Sequence, residues 1–140
     1  MKILQKGFTL VELLLVMAII AILAAVLLAG IDPIDKINAA NDTKVIKDIN
    51  QIAGALEANA VVNSGTYVTS VPQLTASGDL KVAPVPPSGY NSYTITVPAS
   101  STVATLYSVL KSKKYTSVGA TWIWCSASGR ATNLSSTACP

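Results

Sequence analysis

The chain has 140 residues, of which 51% are hydrophobic and 12% are charged, and its formal net charge is +3 at pH 7. This length suits one domain, and the apolar excess predicts that part of the chain lies against a membrane or another apolar surface. The chain has no histidine, two cysteines and seven acidic residues, so the commonest general base and metal ligand are missing. The composition therefore argues against an enzyme and predicts neither a cofactor nor a metal site, and the dispersed lysines do not by themselves predict nucleic-acid binding.

The first predicted element is an apolar helix near the N-terminus. Leu13–Ile31 contains nineteen residues without a charge, which as a helix would span roughly 28 Å, close to the thickness of a bilayer core. Lys2 and Lys6 precede it, so the positive-inside bias predicts a cytoplasmic N-terminus with the remaining chain outside. Two simple interpretations are a secretory signal peptide cleaved near Gly30 and an uncleaved single-pass anchor.

A third interpretation takes the stretch KGFTLVE, residues 6–12, as a unit. Gly7 lies where the polar leader meets the apolar run, and a residue without a side chain suits a tight scissile position. Cleavage after Gly7 would leave Phe8 as the new N-terminus, with a free ammonium group four residues before Glu12.

This stretch resembles the class III signal of type IV pilins and of the pseudopilins of type II secretion. In that signal a basic leader ends in glycine, phenylalanine follows, and glutamate takes the fifth place of the mature chain, as Gly7, Phe8 and Glu12 do here. The resemblance implies that a prepilin peptidase cleaves after Gly7 and methylates the amine of Phe8. It further implies membrane insertion, then addition by an inner-membrane assembly platform to an extracellular homo-oligomeric helical filament.

Glu12 is the one acidic residue at the start of the apolar run. A carboxylate at the bilayer centre costs roughly 2.5–3.5 kcal/mol, and acids inside membranes usually have a partner. We expect Glu12 of one subunit to pair with the ammonium of Phe8 in a neighbour, where low dielectric strengthens the attraction. The hypothesis is that this pair sets the axial register of an incoming subunit.

Asp32 and Pro33 interrupt the helix pattern and predict a kink or a restart, with Asp32 as N-cap and Pro33 in the first turn. A second, amphipathic helix should then run to the turn residues at 63–65. Its predicted apolar stripe consists of Ile34, Ile37, Asn41, Val45, Ile49, Ile52, Leu56 and Ala60, and its polar face of Asp35, Lys36, Lys44, Lys47, Asp48 and Glu57.

Residues 66–92 hold four of the seven prolines and are predicted to form an irregular loop. Strand patterns follow at 93–97, 105–110 and 120–124, which predicts an antiparallel sheet of three or four strands lying on the second helix. The predicted class is α+β, a pilin-like ladle with a long N-terminal helix on a small sheet. Its parts are a leader at 1–7, a membrane and filament-core helix at 8–31, an amphipathic helix at 32–63, and a globular region at 64–140 with a C-terminal disulfide loop.

Cys125 and Cys139 are the only cysteines, and in an exported chain they predict a disulfide, with two free thiols as the alternative. Trp122 and Trp124 alternate with Ile123, so both indoles either face outward into a subunit contact or are buried under a loop. The resemblance implies that a C-terminal disulfide is commoner in pilus subunits, whereas secretion pseudopilins generally bind calcium.

Lys111, Lys113 and Lys114, beside Tyr115, are the candidate residues for contact with DNA, although such clusters are usually solvated turns. The favoured function is a structural subunit of a type IV pilus-like filament. The alternatives are a pseudopilin of a type II secretion system and a membrane-anchored extracytoplasmic binding domain that never polymerises.

Overall fold

The structure is a computed structural model that describes residues 7–98, 102–137 and 139. The predicted leader lies outside the described residues except for Gly7. The chain divides into two units, one ending at Ile34 and the other beginning at Asp35. The first contains an apolar helix and the second a small antiparallel sheet with its own helices, so the predicted α+β class is confirmed.

Helix α1, Leu10–Gly30, forms the first unit. Within the described chain it is the one helix long and apolar enough to cross a membrane, over Leu10–Leu28. At 1.5 Å per residue those 19 residues span roughly 29 Å. The large apolar side chains from Phe8 to Leu28 are exposed, and even Val16, the least exposed of them, keeps 48% of its surface accessible. A helix that is apolar on every side requires an apolar environment, which this unit does not itself supply.

The α1 helix ends at Ile31, whose φ of −110° and ψ of 129° are extended. Asp32 precedes a proline, and the proline ring disfavours a helical backbone at the residue before it. Helix α2, Pro33–Val62, begins at that proline, where a missing N–H leaves no hydrogen bond unmade. The predicted restart is therefore present.

Helix α2 supplies one side of the core of the second unit. Val45, Ile49, Ile52 and Leu56 are fully buried and lie in one cluster with strand and loop residues, among them Leu74, Leu80, Ala104, Leu106, Leu110 and Trp124. The predicted stripe is wrong at its start, because Ile34 and Ile37 are 70% and 61% exposed. The helix ends as predicted, with Ser64 and Gly65 at positive φ and the Gly65 N–H bonded to the Ala60 carbonyl at 2.7 Å.

Four antiparallel strands form the sheet in the order β1-β2-β3-β4. They are β1 Thr94–Thr96, β2 Thr105–Val109, β3 Thr121–Cys125 and β4 Arg130–Leu134. One cross-strand row joins Ile95, Leu106, Trp124 and Ala131, and its side chains contribute to the core. Trp124 is 3% exposed and Trp122 packs against the same core, so of the two alternatives for this pair the outward-facing one is wrong and the tryptophans are buried or partly buried.

The opposite face of the sheet is covered too, since Ile123 is fully buried although it points away from Trp124. Thr137 and Cys139 line a cavity of about 340 Å³ together with Thr96 and Thr105, which places the C-terminal segment over this face. Cys125 and Cys139 form the predicted disulfide, with Cα atoms 5.8 Å apart. Gly119 permits the close approach of the segment, because a Cβ there would lie 2.6 Å from the Ser135 nitrogen.

Replacing Cys125 and Cys139 together with serine is expected to lower the free energy of unfolding by about 3 kcal/mol, because the bridge closes a loop of about 15 residues in the unfolded chain. The measurement is thermal unfolding of the full chain in detergent micelles, followed by tryptophan fluorescence. Reduced wild-type protein should unfold like the variant. Equal stability of oxidised wild type and variant would contradict this prediction.

Three short elements differ from the sequence prediction. Helix α3, Val71–Ser77, lies inside the predicted loop and is capped by Ser70 and Gln73, with Pro72 in its first turn. Helix α4, Lys113–Thr116, replaces the predicted turn between two strands. Strand β4 lies where the sequence shows no strong strand pattern, and its pairing with β3 supplies the missing stabilisation.

Candidate functional site

The chain just before α1 is extended and accessible. Gly7 is exposed, and a Cβ built there would meet nothing within 4 Å, so the fold does not require a glycine at this position. Phe8 follows with 77% of its surface exposed. The fold alone does not explain why residue 7 is glycine, and the Phe8 ring beside it is accessible. Both features suit recognition of this segment by another protein.

Thr9 and Glu12 form a reciprocal cap at the start of α1. Thr9 is the N-cap, with φ −83° and ψ 149°, and its hydroxyl oxygen accepts from the Glu12 N–H at 3.3 Å. The Oε2 atom of Glu12 accepts from the Thr9 N–H at 2.9 Å and from the Thr9 hydroxyl at 2.8 Å. This capping box satisfies backbone N–H groups that the first turn of a helix leaves without a partner.

Glu12 therefore has a hydrogen-bonding partner within its own chain, which the sequence prediction did not include, and its pairing with Phe8 of a neighbouring subunit stays a prediction. The local pattern Thr9-x-x-Glu12 is a recognised N-terminal helix signal that could have revealed Thr9 as a site residue. All atoms of the capping box belong to residues 9 and 12, so cleavage after Gly7 would not remove any of them. The cap holds the carboxylate at the first turn of the helix, near the position of a new N-terminus at Phe8.

Asp42 is a second polar residue that the sequence prediction missed. It is fully buried, and its Oδ1 accepts from the Tyr90 hydroxyl at 2.7 Å and the Lys111 N–H at 2.9 Å, while Oδ2 accepts from the Ser112 N–H at 2.8 Å. Burial raises the pKa of Asp42, but the hydrogen bonds from Ser112, Tyr90 and Lys111 outweigh it, so the net pKa lies below 3.8. Asp42 precedes Val45 by three residues and Ile49 by seven, and residues at these spacings lie on the same face of a helix. This spacing could have revealed that Asp42 belongs to the buried stripe.

Other polar groups of α2 bind the loop that follows it. The Tyr93 hydroxyl donates to Asp48 Oδ2 at 2.5 Å, and the Lys44 ammonium donates to the Val85 carbonyl at 2.5 Å. Near the end of the helix, Asn59 Nδ2 donates to Asp79 Oδ2 at 2.6 Å. Lys44 and Asp48 of the predicted polar face therefore bind the segment that contains Val85 and Tyr93, although Lys44 also remains exposed.

The three lysines considered for DNA contact lie together at α4 and are exposed. Lys111 Nζ donates to the Gly89 carbonyl and lies 5.2 Å from the centre of the Tyr90 ring. Lys114 Nζ lies 4.9 Å from the centre of the Tyr115 ring, and the Lys113 N–H donates to Asp35 Oδ1 at 2.7 Å. Lys111 thus has a structural role, and DNA contact at this cluster stays a prediction.

A family model described as the prokaryotic N-terminal methylation motif matches residues 3–28. The matched range includes Gly7, Phe8, the capping box and all but the last residues of α1. The comparisons with curated proteins and with solved structures gave no match.

Proposed function

The methylation motif at residues 3–28 is the class III signal peptide of type IV pilins and pseudopilins, and from it we propose that the chain is a structural subunit of a type IV pilus-like filament. The precursor inserts through α1 with its N-terminus in the cytoplasm. A prepilin peptidase then cleaves after Gly7 and methylates Phe8. An inner-membrane platform transfers the subunits into an extracellular homo-oligomeric filament whose core is built from α1.

The exposure of α1 over Leu10–Leu28 is the structural observation that carries this proposal. Its apolar side chains face outward on every side, and none of the span is buried. A membrane can cover such a helix before assembly, but outside the bilayer the same surface needs other apolar helices. Contacts between copies that do not close into a ring extend without limit, so a filament meets this requirement.

In the proposed filament Glu12 defines the register. Its Oε2 is held by Thr9, so the carboxylate stays at the first turn instead of sampling many rotamers. The methylated ammonium of Phe8 in a neighbouring subunit is the complementary charge. In the dry core the attraction of this pair is strongest when both groups lie at the same height, which gives each incoming subunit one preferred axial position.

A pilus subunit is favoured over a secretion pseudopilin by two features of the C-terminal region. A disulfide closes it, and residues 126–140 contain no aspartate or glutamate, the carboxylates that calcium prefers. The pseudopilin remains the second candidate because it has the same signal peptide. A membrane-anchored domain that never polymerises is the third, and in it Glu12 would act only in the cap of α1.

The mass of the mature chain tests the processing step. We expect the protein isolated from its native membrane to have the mass of residues 8–140 with one added methyl group. An intact N-terminus or cleavage near Gly30 would contradict the proposal. Mass spectrometry of the intact protein and of its N-terminal peptide measures both features.

A glycine substitution supplies the matched control. Gly7→Val is expected to block cleavage without unfolding the chain, because the position is open and exposed. Gly54→Ala, at another exposed glycine with open space around it, should be processed normally. Normal processing of the Gly7 variant would show that the peptidase does not read this glycine.

A further inference from the structure

Four lysines belong to the region around the N-terminal end of α2. Lys36 is on the first turn of α2, α4 carries Lys113 and Lys114, and Lys111 lies two residues before α4. The attachment is direct, because the Lys113 N–H donates to Asp35 at 2.7 Å and the Ser112 N–H donates to Asp42 at 2.8 Å. Residues more than 70 positions apart are thereby joined into one basic surface, which we call the α4 surface.

The α4 surface is more basic than the chain as a whole. The carboxylates that face α4 from α2 are Asp35 and Asp42. Asp35 accepts a hydrogen bond from the backbone N–H of Lys113, and Asp42 accepts hydrogen bonds from the backbone N–H groups of Lys111 and Ser112. Asp42 is fully buried, whereas all four lysines are exposed. The α4 surface therefore carries four lysines and two carboxylates.

Exposed apolar side chains accompany these lysines. Ile37, one residue after Lys36, is 61% exposed, and Val118, directly after α4, is 71% exposed. Tyr115 is partly buried against Trp122, with ring centres 5.9 Å apart. Lysines interspersed with accessible apolar side chains are typical of surfaces that bind the interface of an anionic membrane.

We propose that the α4 surface binds the anionic phospholipid headgroups of the leaflet from which the globular unit emerges, while the subunit awaits assembly. This inference rests on the proposed function, because it requires α1 to span the bilayer. Lys36 follows Leu28, the last residue of the span, by eight residues, a tether of at most roughly 29 Å. The headgroups are thus always within reach. Anionic headgroups are favoured over DNA because the tether keeps the lipid partner at high local concentration.

The test uses the full chain in lipid nanodiscs of two compositions, phosphatidylcholine alone and phosphatidylcholine with one quarter phosphatidylglycerol. Hydrogen exchange of the backbone amides at 113–119 is the measurement. In the anionic discs we expect protection to rise by about fivefold for each lysine engaged, and to fall back at high salt. Lys113→Glu with Lys114→Glu should abolish the increase. The control, Lys47→Glu with Lys81→Glu, changes two exposed lysines elsewhere and should behave as wild type.

Equal exchange in the two kinds of disc would overturn the inference, as would an increase that persists in the α4 double variant. Binding of a labelled DNA duplex by wild-type discs, lost in the double variant and without any effect of phosphatidylglycerol, would assign the surface to DNA instead. Filament assembly is scored separately by electron microscopy of sheared fibres, so a missing lipid effect with normal fibres contradicts only the headgroup contact. A chain that enters neither disc would contradict the membrane-inserted state itself.

Discussion

Glu12→Leu is expected to abolish filament assembly while leaving membrane insertion and cleavage after Gly7 intact. Removing one partner of a buried ion pair costs roughly 3–5 kcal/mol, which weakens each subunit contact by a hundredfold or more. Insertion should not suffer, since leucine is better tolerated than glutamate within a membrane span. The readouts are the yield of sheared fibres by electron microscopy and the mature mass of the chain that stays in the membrane.

Three further variants separate charge from capping. Glu12→Gln keeps the shape but loses the charge and should assemble poorly, whereas Glu12→Asp keeps the charge and should retain part of the assembly. Thr9→Ala removes the hydroxyl that donates to Glu12 but keeps the backbone N–H, so we expect a smaller loss than for Glu12→Leu. Fibres of normal length and number from Glu12→Leu would show that the carboxylate does not set the register.

Asp42→Ala is expected to lower the free energy of unfolding of the globular unit by about 3–5 kcal/mol, because it leaves the backbone N–H groups of Lys111 and Ser112 without their acceptor. The Tyr90 hydroxyl loses its shorter bond and keeps only the one to the Asn38 carbonyl at 3.2 Å. Thermal unfolding in detergent micelles, followed by the fluorescence of Trp122 and Trp124, measures the change. Glu57→Ala, at an exposed carboxylate on the same helix, should change stability by less than about 0.5 kcal/mol.

The same carboxylate predicts a pH dependence. The pKa of Asp42 is below its ordinary value of 3.8 in the folded protein, because its hydrogen bonds with Ser112, Tyr90 and Lys111 outweigh the effect of burial. Its contribution is therefore fully present above about pH 4 and is lost as the pH falls through the lowered folded pKa. The difference in stability between wild type and Asp42→Asn should shrink on acidification. A difference that stays constant down to pH 2 would show that ionisation of Asp42 does not matter.

These two carboxylates have opposite structural situations. Asp42 is enclosed by its own chain, with partners 48 to 70 residues away in sequence. Glu12 is bonded only to Thr9 among the described residues, on a helix that its own unit leaves uncovered. Loss of Asp42 is accordingly expected to affect the stability of the monomer, whereas loss of Glu12 is expected to affect the cap of α1 and the contact between copies. Measuring both stability and fibre yield for both variants distinguishes these effects.

Short-range features were predictable because their causes lie within a few residues. The charge-free run at 13–31 predicts α1, Pro33 predicts the restart of the helix, and the turn residues at 63–65 predict its end. The order of Gly7, Phe8 and Glu12 predicts the methylation motif by itself. Two cysteines in an exported chain predict the disulfide, since only one pairing within the chain exists. In each of these cases a local backbone preference or a simple count decides the outcome.

Long-range features depended on the tertiary structure. The residues of β4 are only moderate strand formers and become a strand because β3 offers its edge, while Trp124 faces inward because α2 covers that side of the sheet. Ile123 is buried on the other face, which the alternation of residues in a strand does not predict for a sheet with one covered side. Asp35 accepts the N–H of Lys113, 78 residues away, and no pattern within a short window carries that information. Local propensity determines where helices begin and end, but which side of each element is buried depends on partners that only the folded chain brings together.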